Sequence, residues 1–121
     1  MNPTNQTERD CVFCRIPPDK KILQNELAFC VLDLYPVTPG HSLIIPIRHF
    51  ADYFDITPAE LEAVQTLACL RRKQLLEWDG AILGFNIGSN CGPAAGQRIF
   101  HTHIHLIPRR KGDGLYSNDK V

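Results

Sequence analysis

The chain has no excess of charge of either sign: 13 Lys and Arg balance 13 Asp and Glu, for a formal net charge of zero. A neutral chain exerts no global pull on nucleic acid or on an anionic membrane, so neither is expected as a partner. Small anionic ligands stay open, because a local patch suffices for them. No apolar stretch approaches the roughly 20 residues of a membrane span. The N-terminus, MNPTNQTERD, has no apolar signal core, and a cytoplasmic location is expected. No internal repeat or low-complexity run is present. The cysteines are odd in number, Cys11, Cys14, Cys30, Cys69 and Cys91, which argues against a disulfide framework. At 121 residues the chain is one small domain. A chain of that size buries about two thirds of its unfolded surface, enough for one core.

What is present reads as short strands around one helix. Apolar runs bounded by turn residues predict strands at Ile22 to Gln24, Ala28 to Leu32, His41 to Pro46, Ala81 to Ile87 and His103 to Pro108. Thr57-Pro58-Ala59-Glu60 combines a capping residue, a proline in the first turn and a glutamate three residues after the cap. Leu61, Val64, Leu67, Ala68, Leu75 and Trp78 follow at helical spacing until Asp79-Gly80 ends the run. A shorter helical turn is predicted over His49 to Phe54. The expected class is α+β: an antiparallel sheet of about five strands with one long helix on a face and one short helix. Residues 1–10 are expected to be a disordered tail, 11–110 the domain, and 111–121 a mobile C-terminal tail.

The most informative segment is His101-Thr102-His103-Ile104-His105-Leu106-Ile107. Read as one strand, it points all three histidines to one face and Thr102, Ile104 and Leu106 to the other. Three readings of that face are open: a solvated strand, a divalent-metal site, or a nucleophilic imidazole. Neutral imidazole attacks phosphorus well near neutral pH, since its unperturbed pKa is about 6.5. The preceding segment, Asn90-Cys91-Gly92-Pro93-Ala94-Ala95-Gly96-Gln97-Arg98, is a small-residue loop whose backbone amides can cradle a phosphate. Directly before a histidine strand, it favours the nucleophile. Separately, Cys11-x-x-Cys14 has the spacing of half a zinc site, while a redox-active or an incidental pair stays open.

These segments resemble the histidine-triad (HIT) family of nucleotide hydrolases and transferases, from about Cys11 to Arg109. HTHIHLI matches the family's triad, and GHSLIIP, with His41, its upstream histidine segment. Asn90 and Gly96-Gln97 match its phosphate loop, and Asp33 in VLDLYPVTPGH its ribose-contacting acid. The resemblance implies that His103 is the nucleophile, forming a nucleotidyl adduct at the α-phosphorus that water then releases. It implies that His105, Asn90 and Gln97 contact phosphate and that His41 sits behind the strand and orients His103. His101 completes the triad. Val12, Phe13, Ile16, Val31, Leu32 and Leu34 align with the base and ribose pocket, although plain core explains such apolar positions equally well. His105, where the transferase branch tends to carry glutamine, points to the hydrolases. Arg98 departs from the small hydroxyl residue of many relatives, and Thr102 from an aliphatic one.

Some bacterial relatives complete the CxxC with two histidines. By that resemblance Cys11, Cys14, His49 and His101 form a structural zinc site. The expected function is hydrolysis at the α-phosphate of dinucleoside polyphosphates or nucleoside phosphoramidates, with a purine nucleotide as substrate and a homodimer as the assembly. PRRKGDG after the triad is like that of the dinucleoside polyphosphate branch, with Arg109, Arg110 and Lys111 able to meet polyphosphate or to lie in solvent. Two alternatives are a nucleotide-binding regulatory module with weak catalysis and a metal-dependent hydrolase.

Overall fold

The structure, a computed structural model, describes residues 8–114. Five strands form one antiparallel sheet in the order β1-β2-β3-β5-β4. They are β1 (Leu23–Gln24), β2 (Ala28–Leu32), β3 (Ser42–Pro46), β4 (Ile82–Gly88) and β5 (Ile104–Arg110). One long helix, α1 (Pro58–Trp78), lies between β3 and β4 in sequence. The α+β class, the sheet and the long helix are those the sequence predicts.

The start of α1 follows its local chemistry. The Thr57 hydroxyl accepts from the Glu60 amide at 3.1 Å, and the Glu60 carboxylate accepts from the Thr57 amide at 2.9 Å. The same carboxylate receives Nε and Nη2 of Arg48 at 2.9 and 2.8 Å. This bidentate pair fastens the segment carrying His49 to the helix. Arg48 holds the Glu60 carboxyl below the usual carboxylate range, a shift reinforced by the Thr57 contacts.

Val64, Leu67, Ala68 and Leu75 of α1 pack on Ala28, Cys30, Ile44, Ile104 and Leu106 of the sheet. Burying each Leu or Ile here contributes about 1.5–3 kcal/mol. Leu61 and Trp78, expected on the same apolar stripe, are exposed. Trp78 nevertheless keeps contact with the domain, its ring lying 5.9 Å from the Arg110 guanidinium. The opposite face of the sheet is covered by the N-terminal segment: Cys11 and Phe13 pack with Phe29, Val31, Leu43 and Ile45.

The expected helical turn over His49 to Phe54 is instead a 3-10 turn at Tyr53–Asp55, capped by the Asp52 carboxylate accepting from the Phe54 amide. Residues before it cannot coil, because the Phe50 carbonyl accepts from the Thr102 amide at 2.7 Å. At the N-terminal boundary, Glu8–Asp10 form a 3-10 turn that continues into the domain. At the other, the Asp113 carboxylate accepts from the Arg109 side chain and the Arg110 amide. The rest of the two expected tails lies outside the described residues. Gly40 sits at φ +94°, and a Cβ there would come within 2.9 Å of Leu75 Cδ2. Only glycine lets the chain turn this close to α1 immediately before His41.

Candidate active site and metal centre

The triad segment does not behave as one strand. The β3–β5 ladder runs from Ser42↔Leu106 to Ile44↔Ile104, and β5 begins at Ile104. Upstream, the Thr102 amide donates to the Phe50 carbonyl, past the end of β3. His103 and His105 remain neighbours, with ring centroids 5.2 Å apart. His101 stays on the same side of the sheet as His103, both rings packing on Phe13, and its Nδ1 joins a second cluster with Cys11, Cys14 and His49.

Hydrogen bonds set which nitrogen of each ring carries its proton. The Val37 amide donates to His41 Nδ1 at 3.0 Å, so a neutral His41 holds its proton on Nε2. His41 Nε2 lies 2.9 Å from His105 Nδ1 and donates to it. His105 then carries its proton on Nε2. His103 Nδ1 lies 2.8 Å from the His101 carbonyl, which can only accept, so His103 keeps its lone pair on Nε2. His41 thus bonds directly to His105.

Burial holds His41, His103 and His105 below the ordinary imidazole range, opposed in each case by the Asp33 carboxylate. Asp33 Oδ2 stands 3.4 Å from His41 Nε2 and 3.9 Å from His105 Nδ1, while Oδ1 accepts from the Tyr35 amide. The ring of Phe13 meets His103 edge-on at 4.9 Å.

The loop before the triad is a 3-10 turn, Pro93–Ala95, between Gly92 at φ 92° and Gly96 at φ 91°. Gln97 holds it from inside: Oε1 accepts from the Gly92 amide, and Nε2 donates to the carbonyls of Ala51 and Ile99. Its side chain is therefore spent on the loop's shape rather than turned outward to phosphate. Asn90 is exposed, with Nδ2 3.5 Å from where a Cβ on Gly96 would stand. Arg98 is exposed.

Two parts of this arrangement escaped the sequence. Ser89 Oγ donates to the His103 carbonyl at 2.8 Å, tying β4 to the nucleophile candidate. The Val37 amide that sets the His41 tautomer has no side-chain signature. A serine beside Asn90 was visible, but its partner is 14 residues away and reached only through the β4–β5 pairing.

The expected pocket residues separate. Phe13 and Val31 are buried in the second core and Ile16 packs partly on it, while Val12, Leu32 and Leu34 are exposed. Leu32 pairs with Ser42 and by alternation shares the helix side with Ala28 and Cys30. Leu34 and Tyr35, at 83% and 88% exposure, form an open apolar edge beside Asp33. Arg109 pairs with Asp113 at 2.9 Å, and Arg110 with Asp79 at 2.9 Å and the Pro39 carbonyl at 3.0 Å. Both arginines expected to meet polyphosphate or solvent are engaged in holding the end of β5.

Cys11, Cys14, His49 and His101 each offer one ligand atom, and these atoms all lie within 4.8 Å of one another. His101 Nδ1 is 3.4 Å from Cys11 Sγ, 3.5 Å from Cys14 Sγ and 3.2 Å from His49 Nδ1. Cys14 Sγ is 3.3 Å from His49 Nδ1. A tetrahedron with zinc–sulfur and zinc–nitrogen bonds has edges of about 3.3–3.8 Å. His101 Nε2 donates to the Pro46 carbonyl at 2.7 Å, which leaves the Nδ1 lone pair facing the sulfurs. Desolvation, with the Cys11 thiol alongside, pushes the Cys14 thiol up to about 12, and a bound cation would favour its thiolate. The set fits a closed divalent-metal site.

This sheet and these histidine clusters define a histidine-triad protein. Residues 15–112 match the HIT domain family, and the chain belongs to that family. It is 37% identical over 118 residues to adenylylsulfatase HINT3 of Arabidopsis thaliana, covering 94% of this chain and 59% of that longer protein. It is 34% identical over 110 residues to the asymmetrical bis(5'-nucleosyl)-tetraphosphatase of Schizosaccharomyces pombe, covering 90% of this chain and 59% of the relative. Among solved structures, a zinc-bound histidine triad family protein from Mycobacterium smegmatis superposes with TM-score 0.79 at 33% identity, covering 95% of this chain and 86% of that one. Among the described residues, no helix is long and apolar enough to cross a membrane.

Proposed function

We propose that the chain is a nucleotide hydrolase that cleaves at the α-phosphate of dinucleoside polyphosphates or nucleoside phosphoramidates and releases a nucleoside monophosphate. The observation that carries this reading is the order of protons along the histidines: a lone pair on His103 Nε2 beside a donor on His105 Nε2. That is the pairing an attack on phosphorus requires.

In the first step the His103 lone pair forms a nitrogen–phosphorus bond as the bond from the α-phosphorus to the leaving group breaks. The leaving group departs with the bonding pair. His105 donates to a phosphate oxygen, where negative charge concentrates. In the second step water attacks the same phosphorus and loses a proton. The nitrogen–phosphorus bond breaks, and His103 is regenerated. Asn90 and the Gly92–Gly96 backbone cradle the phosphate, with Gln97 positioning that loop. Asp33 binds the ribose, and Val12 and Leu34 flank a purine beside buried Phe13. Ser89 and the Val37 amide are positioning groups.

Cys11, Cys14, His49 and His101 hold a structural zinc ion, which ties the N-terminal segment to the nucleophile. The relatives named for sulfate and tetraphosphate chemistry, and the zinc-bound neighbour, support these assignments. The assembly is a homodimer through β4, an edge strand with exposed Leu83 and Ile87. The site of action is the cytoplasm.

A metal-dependent hydrolase would draw on the second ligand group, Asp33, His41 and His105. There the hydrogen bond between His41 and His105 already occupies the facing nitrogens.

The test is release of AMP from an adenosine phosphoramidate and from diadenosine polyphosphates, comparing wild type with His103→Ala. The variant is expected to lose at least about 10²-fold in rate. A wild type inactive on every substrate, or a variant as fast as wild type, refutes the assignment.

A further inference from the structure

Two links join the Cys11–Cys14 knuckle to the nucleophile candidate. His101 is fully buried and offers Nδ1 to the sulfurs, while its own carbonyl accepts from His103 Nδ1 at 2.8 Å. Phe13 lies between the two cysteines in sequence, and its ring meets His103 at 4.9 Å and His101 at 5.9 Å. The knuckle therefore supports both the hydrogen bond and the packing of the His103 ring. Cys14 is exposed while Cys11 is buried, so a small oxidant reaches one sulfur directly. The two Sγ atoms lie within 4.8 Å. A disulfide brings sulfurs to about 2.05 Å, much closer than the edge of a metal tetrahedron. Disulfide and bound metal are mutually exclusive in this site.

We propose that the Cys11–Cys14 pair is an oxidative modification site, with hydroperoxides as the oxidant class, whose oxidation disengages His103. The two metal-bound thiolates give up two electrons and join through a sulfur–sulfur bond. The oxygen–oxygen bond of the peroxide breaks, and its oxygens take those electrons and two protons, leaving as water when hydrogen peroxide is the oxidant. The metal dication passes to solvent or a chelator. His101 then loses its ligand bond on Nδ1 and keeps only the Pro46 hydrogen bond on Nε2, and Phe13 moves with the knuckle. His103 no longer has its Nδ1 proton held, nor its Nε2 lone pair presented. Loss of turnover as the consequence rests on the hydrolase reading; the change at His103 does not.

The experiment takes the reduced, zinc-loaded full chain carrying Cys69→Ser, which removes an exposed thiol from outside the knuckle. Hydrogen peroxide is added in stoichiometric steps. Zinc release is followed with a chromogenic chelator, the disulfide by peptide mass, AMP affinity by calorimetry, and the His103 ring by NMR. The expected result is one zinc ion released per Cys11–Cys14 disulfide, a moved His103 resonance, and at least about tenfold weaker AMP binding and slower turnover. Dithiothreitol with zinc restores all of them. In the same background Cys14→Asp keeps a metal-binding side chain that cannot form a disulfide, and it should hold its zinc through the titration.

Retention of zinc while oxidant is consumed elsewhere overturns the proposal. So does zinc loss that leaves the His103 resonance unmoved, or a Cys14→Asp chain that loses zinc as readily as its parent. If the reduced chain neither binds AMP nor turns over any nucleotide while oxidation still moves the His103 resonance, the hydrolase reading fails and the modification site stands.

Discussion

Replacing His41 by phenylalanine keeps a buried ring and removes both of its nitrogens. Two hydrogen bonds disappear, from the Val37 amide at 3.0 Å and to His105 at 2.9 Å. His105 Nδ1 then has no donor facing it, and the ring can take either tautomer. Wherever the proton moves to Nδ1, the donor on Nε2 that stabilises the phosphate is lost. Removing one such donor outright costs about 10²–10³ in kcat. His105 still populates the useful tautomer part of the time, so a loss of roughly 10–10²-fold is expected, with KM nearly unchanged because the lost stabilisation belongs to the transition state. The unpaired Val37 amide adds a stability cost of about 1–3 kcal/mol if water does not reach it. Steady-state kinetics on an adenosine phosphoramidate, with nitrogen NMR of the histidine rings, reads both effects. Full activity in the variant, or a wild-type His105 protonated on Nδ1, would refute the proton order on which the mechanism rests.

Three further outcomes follow from the geometry. His41 and His105 have folded pKa values lowered by burial, so the unfolded chain binds more protons than the folded one below about pH 6.5. Their contribution is fully present above that pH and declines as pH falls toward the folded values; chemical denaturation at pH 7.5 and 5.5 should show lower stability at 5.5, and equal stability would contradict their neutral burial. Zinc at about 100 times its dissociation constant should stabilise the chelated protein by about 2.7 kcal/mol, a rise in Tm of roughly 10 °C, and an unchanged melting curve would remove the metal from the structural account. Gly40→Ala meets both a positive φ and the 2.9 Å approach of Leu75, so urea unfolding should report a loss of roughly 2–5 kcal/mol, whereas a loss under 1 kcal/mol would mean the turn relaxes freely.

The elements and the chemistry were legible in the sequence because their causes are local. The Thr57–Glu60 capping box, the Asp79-Gly80 stop and the strand runs depend on neighbours a few residues away, and the structure has them where the spacing predicts. The CxxC and the triad announced nitrogen and sulfur ligands for the same reason. The hydrogen-bond partners of the three histidines were not legible. A strand pattern assigns His101, His103 and His105 to one face, and His101 and His103 do pack on the same Phe13 ring, although the regular ladder stops at Ile104. His101 joins Cys11, Cys14 and His49, the set the family resemblance had implied, and only the structure shows that its carbonyl also holds His103. The Val37 amide, the Ser89 hydroxyl and the inward turn of Gln97 are likewise products of tertiary packing. By itself the sequence determined which groups are available to react, because residue identity sets their chemistry. The tertiary structure alone decided which nitrogen carries each proton, because that depends on partners brought together from distant parts of the chain.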